Sequence, residues 1–341
     1  MPKVSVLVPI FNVEKYLREC LLSLVNQTLQ DIEIICIIDG STDSSLDIIN
    51  EFALKDERVK IINKENSGYG ASMNRGLAIA TGEYIGILES DDFTDKKMFE
   101  ELYNTAKEKS AEIVVSDFYC YWTDSQRIKK ANRTSRYKLN KVINVQKFPY
   151  LLRNKTTIWS AIYKRDLLQK YDIHFLETPG ASYQDTSFRI KTLASANSVV
   201  VLRNAYVKYR QDNANSSVKS KGKVFVIPDE YHEIEQFMDK YPEIKKYAID
   251  EVLINKWHGY IWNLGRIDNE FVDGFLELYY QEFKKAYDEN ILSNYFYRNI
   301  GKSKVKLLLE NKEEFCYFVR NIKGKSIFKK VMIYIKNGLK K

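Results

Sequence analysis

Cysteine is scarce and scattered. Cys20, Cys36, Cys120 and Cys316 form no Cys-x-x-Cys pair, so a zinc ribbon is excluded and a disulfide framework disfavoured, and a reducing cytoplasm fits better. Proline and glycine are few, six and fourteen in 341 residues, which excludes a collagen-like or linker-rich chain. No apolar run nears the ~20 residues that span a bilayer. The opening run, Val4 to Ile10, is soon followed by Asn12 and Glu14, too short for a signal peptide. His174, His232 and His258 show no ligand spacing. Acid is missing from residues 320–341, which hold eight basic side chains and thus the whole net charge of +8. The rest balances, so the chain is no broadly basic nucleic-acid binder and carries one local basic patch.

What is present is an ordinary globular composition, 45% hydrophobic and 29% charged, at a length of about two domains. Val4 to Val8 reads as a buried strand that Pro9 stops. Asn12 is placed to cap a helix whose apolar positions run from Val13 to Val25 at three- and four-residue steps. Strands are predicted at 33–38, 59–62, 84–88 and 113–116, and helices from Leu46, at 71–80 and at 95–109. Alternation at this spacing predicts βαβ units and a parallel sheet, and strands this apolar are covered on both faces. Residues 122–145 read as a loop or hairpin, 158–163 as a strand, 185–194 as a helix, and 199–203 and 206–210 as two short strands. From about residue 224 aromatic and aliphatic residues recur at helical period.

In such sheets ligands bind at the carboxyl ends of strands. Phe11-Asn12, Asp39-Gly40-Ser41, Asn66-Ser67-Gly68 and Glu89-Ser90-Asp91-Asp92 each come directly after a strand and should share one rim. Three carboxylates in four residues repel one another unless solvated or joined by a hard cation that also takes phosphate oxygens. Alone they describe a solvated helix-capping turn; beside three other polar clusters they favour the cation. Asp39 suits a nucleobase N–H or a turn, and Asp43 reads as a helix cap. The first strand–helix turn holds no glycine and no Walker A sequence occurs, so neither a nicotinamide dinucleotide nor a P-loop nucleotide is supported.

Six ordered segments carry a resemblance: Val4 to Asn12, Ile38 to Asp43, Glu65 to Gly68, Asn74 to Gly76, Ala80 to Ile85 and Glu89 to Asp92. Together they resemble the family 2 glycosyltransferases of GT-A fold, over residues 3–120 and more loosely to about 218. The resemblance implies an α/β, Rossmann-like, mostly parallel sheet with helices on both faces, followed by a helical C-terminal domain. It divides the chain into a catalytic domain at 1–223, with a nucleotide-sugar half at 1–120 and an acceptor half at 121–223, and a helical domain at 224–341. It implies an inverting, metal-dependent transfer of a hexose from a UDP-sugar (UDP-glucose, UDP-galactose or an N-acetyl form) to a hydroxyl of a lipid- or protein-linked glycan, in bacterial surface polysaccharide or glycoprotein glycan synthesis.

By the same resemblance Pro9, Phe11 and Asn12 line the base and ribose, Asp39 bonds the uracil ring, and Asn66, Gly68 and Asn74 approach the diphosphate. Glu89-Ser90-Asp91 stands in place of Asp-x-Asp, with Asp91 holding Mn²⁺ or Mg²⁺ and Glu89 facing the ribose or a metal-bound water. Asp185, in Tyr183-Gln184-Asp185, is the base, Trp159 a wall for the acceptor, and Arg210 part of a segment that closes over the site onto phosphate or acceptor. From the residues alone, Asp185 reads as a helix cap, Trp159 as core and Arg210 as a surface arginine. The chain departs from the pattern at Glu89, at Ile38, where many relatives have an acid, and at Met73, where many have arginine; Lys64 or Arg75 are the substitutes at hand. Those departures sustain a second reading, a nucleotide-sugar-binding assembly subunit with a degenerate site. A sugar-1-phosphate nucleotidyltransferase is a third, weakened by the first turn, which lacks glycine and basic residues. The basic amphipathic tail suits peripheral contact with the inner face of the membrane, and the helices suit a homodimer.

Overall fold

The computed structural model describes residues 1–133, 139–153, 157–181, 183–213 and 224–321. Strands β1 (Val4–Ile10), β2 (Ile32–Asp39), β3 (Val59–Lys64) and β4 (Tyr84–Ile87) alternate with helices α1 (Glu14–Val25), α2 (Ser45–Ala53) and α3 (Tyr69–Ile79). Every residue of β1, β2 and β4 is buried, the outcome expected of strands with no polar alternation. All pairings among these four strands are parallel, in the order β3-β2-β1-β4. Their carboxyl ends lie on one side, so the four polar loops share a rim as the sequence implies.

Next come β5 (Phe93–Thr94), α4 (Met98–Lys109), β6 (Ile113–Trp122), β7 (Arg127–Lys130), β8 (Val142–Ile143), β9 (Ala161–Lys164), α5 (Arg165–Lys170), α6 (Asp185–Ser195) and β10 (Val199–Arg210). The sheet continues β4-β9-β6-β10-β5, with β9 antiparallel to both neighbours and β10 parallel to β6. Of the stretch 122–145 predicted as loop or hairpin, β7 folds back on β6 as a hairpin and β8 pairs with β10.

Four expectations shift. Pro9 does not end β1: Pro9 and Ile10 pair with Ile37 and Ile38 of β2, whereas β4 pairs only with Val4 to Leu7. The imide nitrogen thus falls where the β4 side of the ladder has stopped and no donor is needed. The expected strand at 158–163 opens as a 3₁₀ turn over Ile158–Ser160. The helix expected from 95 starts at Met98, after β5 has paired with β10. Finally, 199–203 and 206–210 are one strand with irregular register against β6 on both sides of Ala205. Such a bulge re-aims the side chains beyond it, here Tyr209 and Arg210.

Beyond residue 224 lie α7 (Val226–Lys240), α8 (Pro242–Leu264), α9 (Val272–Asp288), α10 (Asn294–Ile300), α11 (Lys302–Glu310) and α12 (Lys312–Asn321). α8 buries residues around its whole circumference, as a central helix must. Trp257 of α8 meets Tyr279, Phe283, Phe296 and Phe315 edge-on at 5.0–6.1 Å, the favoured aromatic geometry. α7 packs on α6. Arg320 donates to the carbonyls of Leu264 and Ile267 at the end of α8, so this member of the basic patch is docked. Residues 322–341, the rest of that patch, lie outside the described residues. No helix among the described residues is long and apolar enough to cross a membrane.

One buried carboxylate ties the sheet's outer edge together. Glu33 of β2 accepts from Ser5 Oγ at 2.5 Å and from Thr81 N and Oγ1 at 2.7 and 2.9 Å, and pairs with Lys60. Burial alone would raise its pKa, but Lys60, Ser5 and Thr81 outweigh burial and hold it at about 2, against an ordinary 4.5. A depressed carboxylate stabilises the fold above its unfolded pKa and stops doing so as pH falls through the folded one. The expected result is a loss of roughly 3 kcal/mol between pH 4.5 and 2 from this group. Urea titrations of wild type and Glu33→Gln across that window check it: the variant should lack this part of the slope.

Candidate active site

The first two rim loops are laced together. Ser41 Oγ accepts from Asn12 N at 3.1 Å, and Asn12 Oδ1 accepts from Thr42 N at 2.8 Å. Asn12 has a left-handed backbone, φ 48°, and its side chain bridges loops; it does not cap α1. That task falls to Asp43, which accepts from Glu14 N at 2.9 Å and from Ser45 N at 3.0 Å, serving the starts of α1 and α2 at once. Asp43 is thus the cap that its sequence position suggests. Pro9 lies in buried β1, while Phe11 is 52% exposed at its end, an open aromatic face on the rim.

Asp39 ends β2 and organises the third loop. Its carboxylate accepts from Ser67 N at 2.8 Å and Gly68 N at 3.0 Å and pairs with Lys64, while its carbonyl accepts from Asn66 Nδ2 at 3.0 Å. A carboxylate offers about four lone-pair directions, so at most one is left for a nucleobase. Lys64 also donates to Ser67 Oγ at 2.5 Å, which places it inside this knot. Ile38 and Met73 are core residues, 1% and 0% exposed. Gly68 has φ 91°, and a Cβ there would stand 2.8 Å from Thr178 O. A Cβ on Gly70 would come within 2.0 Å of Leu176 O. These glycines let the segment 176–180 lie against the start of α3, and Tyr69 N donates to Gly180 O at 2.9 Å.

The fourth loop holds the acids. Glu89 and Asp91 are partly exposed, Ser90 and Asp92 buried. Glu89 accepts from Tyr69 OH at 2.8 Å and Asp91 Oδ2 from Asn213 Nδ2 at 2.7 Å. Lost hydration pushes Glu89 up to about 8, with the charges of Asp91 and Asp185 adding to the rise and the Tyr69 hydroxyl opposing it.

Arg210 sits behind this loop. Contrary to the expectation of a closing or surface arginine, it is 3% exposed. Its backbone N donates to Asp92 Oδ1 at 2.8 Å, its Nε to Asp91 O at 2.7 Å, and its terminal nitrogens to Glu19 (2.6 Å) and Thr123. Tyr16, Phe93 and Tyr121 surround the guanidinium at 4.5–5.7 Å. Arg210 therefore fixes the backbone that carries Asp91. Lysine cannot reproduce that fork. Arg210→Lys should lower kcat/KM for the sugar donor about 10²-fold through a small displacement of Asp91, with the fold retained by circular dichroism.

Asp185 opens α6. It is exposed to solvent. Burial raises its pKa, opposed by Arg189 and by the backbone N–H groups of Asp185 and Thr186. Its charge reaches Glu89, Tyr69 and Tyr209, and Tyr209 also feels Asp92, Asp91 and Glu89. The structure thus brings Glu89, Asp91 and Asp185 within electrostatic reach of Tyr209. Sequence reasoning missed Glu230 of α7, which is buried and accepts from Ser187 N at 2.9 Å in the first turn of α6. Burial raises it to about 8, with Ser187 opposing and Asp185 adding. Its only signal in the sequence was a lone acid among the apolar positions of a helix.

Two expected residues lie elsewhere. Asn74 exchanges hydrogen bonds with the backbone of Phe175 (2.8 and 2.9 Å) and donates to Glu177 at 2.8 Å; it lines a different hollow, with Arg165, Asp172 and His174. Trp159 is 7% exposed, stacked on Tyr209 at 5.0 Å and edge-on to Phe118 at 4.8 Å, a core residue with little face to offer an acceptor.

Among the described residues no group of three or more His, Cys, Asp or Glu side chains could hold a metal ion by itself. The chemistry of one partly exposed carboxylate at Asp91 would suit a hard cation such as Mg²⁺ or Mn²⁺.

Residues 5–172 match the model of Glycosyl transferase family 2. The chain is 31% identical over 218 residues to the uncharacterized glycosyltransferase EpsJ of Bacillus subtilis, covering 63% of each chain. It is 45% identical over 119 residues to the glycosyltransferase GlyG of Streptococcus pneumoniae, covering 35% of this chain and 40% of GlyG. The chain thus spans less than two thirds of the length of these relatives. The fold resembles S. aureus TarS 1-349, solved in complex with UDP-GlcNAc, with a TM-score of 0.73 at 19% identity over 96% of this chain and 92% of that one. Residues 5–172 are a glycosyl transferase family 2 domain.

Proposed function

We propose that the chain is an inverting, metal-dependent glycosyltransferase that moves a hexose from a UDP-sugar to a hydroxyl of a glycan acceptor in bacterial surface polysaccharide or glycoprotein glycan synthesis. The observation that carries this reading is that Glu89, Asp91 and Asp185, from two distant parts of the chain, come within electrostatic reach of Tyr209. The structural likeness to a protein solved with UDP-GlcNAc supports a UDP-sugar donor.

On this reading the open ring of Phe11 stacks on the base, and Asn12 with the Asp39–Lys64–Ser67 knot shapes the rim around base and ribose. Asp91 would hold Mn²⁺ or Mg²⁺, and a bound ion would offset charge on the departing diphosphate. Asp185 takes the acceptor hydroxyl proton; its raised pKa makes it a better base than a solvated aspartate. The acceptor oxygen bonds to the anomeric carbon as the bond from that carbon to the UDP oxygen breaks, on the opposite face, so the configuration inverts. Glu230, through the first turn of α6, holds Asp185 in place.

The test is UDP release from a panel of UDP-sugars with Mn²⁺ or with EDTA, with and without glycan acceptors. Release that needs both metal and acceptor supports the proposal. No turnover with any donor would favour the binding and assembly subunit. The reading extends to peripheral contact at the cytoplasmic membrane face through residues 322–341, which carry seven lysines and no acid. Sedimentation with anionic liposomes of full-length protein and of a chain ending at 321 tests it; equal binding would overturn it.

A further inference from the structure

Trp159 leaves the site without its expected aromatic wall, and the helical region supplies another. Trp262 of α8 is 46% exposed, although its helix is otherwise largely buried. Its ring meets Tyr183 edge-on at 5.5 Å, and the Arg266 guanidinium lies over both rings, 4.5 Å from Trp262 and 5.1 Å from Tyr183. Tyr183 stands two residues before Asp185, at most about 7 Å along the backbone. It adopts φ 61°, a conformation that a bulky residue rarely takes and that often accompanies function. Asp185 and Arg266 both act on the Tyr183 hydroxyl, in opposite directions. An exposed tryptophan and a strained tyrosine, held by one guanidinium, thus border the residue that would receive the acceptor's proton.

We propose that Tyr183 and Trp262, held by Arg266, form the acceptor subsite, a stacking platform for a pyranose ring of the glycan that presents its hydroxyl to Asp185. Pyranose rings have an apolar C–H face that packs on aromatic rings, while their hydroxyls stay at the rim. The platform comes from outside the family-matched residues 5–172, so acceptor choice is set by Tyr183 with the helical region and donor binding by the sheet. This rests on the glycosyltransferase reading for its chemistry but not for its binding surface.

Two measurements separate the two. Intrinsic fluorescence of the full chain is titrated with maltotriose, cellotriose and chitotriose. Quenching of the wild type by at least one of them, with a calorimetric affinity that is lost in Trp262→Ala and kept in Trp262→Phe, supports the platform, whether or not transfer is ever seen. Where transfer is seen, Trp262→Ala should raise the acceptor KM roughly tenfold, leave kcat within about twofold and leave UDP affinity unchanged, with recovery in Trp262→Phe. No quenching by any of the three sugars, or an unchanged acceptor KM, overturns the proposal. So does a change in mass by light scattering in Trp262→Ala, which would make this face a contact between copies. Melting temperatures establish that each variant is folded; absence of UDP release from wild type would overturn the enzymatic reading alone.

Discussion

Asp185→Asn should still bind UDP-sugar and fail to transfer it. The amide keeps the size and the cap position at the start of α6 but accepts no proton at neutral pH. General bases contribute up to about 10⁴-fold, and the accessible position of Asp185 leaves no described carboxylate better placed except Glu89. Glu89 is engaged by the Tyr69 hydroxyl at 2.8 Å and stands in the donor loop beside Asp91. The expected loss in kcat is therefore about 10³–10⁴-fold, with donor affinity by calorimetry within a few-fold. A wild-type rate would place the base elsewhere. A collapse of donor binding would mean that Asp185 belongs to the donor site.

Asp91→Asn should give the second largest effect and the opposite division. Asparagine can still accept from Asn213 and leaves Arg210 bonded to the backbone carbonyl, so the loop should keep its shape. What disappears is the negative charge that would attract a divalent ion. Metal-dependent UDP affinity should fall, and kcat/KM with it by about 10³-fold, while any metal-independent affinity for UDP persists. Equal stimulation of wild type and variant by Mn²⁺ would remove Asp91 from the metal site.

The two variants probe parts of the molecule that were unequally legible in the sequence. The donor half could be read because its signals are local. Uninterrupted runs such as Ile32 to Asp39 declare strands buried on both sides, and each polar cluster comes directly after its strand. The parallel order of β3-β2-β1-β4 then leaves only one rim for them. Asp43 was recognisable as a cap because caps are a matter of a few residues. The features that stayed hidden depend on distant partners. Asn74 is held by Phe175, 101 residues away, and Arg210 by the carbonyl of Asp91, 119 residues away; a backbone carbonyl leaves no mark in a motif. Trp159 became core because the bulge in β10 turns Tyr209 onto it. The continuity of β1 through Pro9 depended on where β4 stops, and α8's role as a central helix on the aromatic residues of three others.

A divalent ion and a UDP-sugar diphosphate, gathered at the carboxyl edge of the sheet, stand at the centre of the proposed mechanism. Diffraction from crystals soaked with UDP and Mn²⁺, collected at the manganese absorption edge, tests this most directly. The expected result is one anomalous peak within coordination distance of the Asp91 carboxylate, bridged to the diphosphate, with the uracil beside Phe11. An ion bound away from Asp91, or UDP bound elsewhere with this site empty, would contradict it.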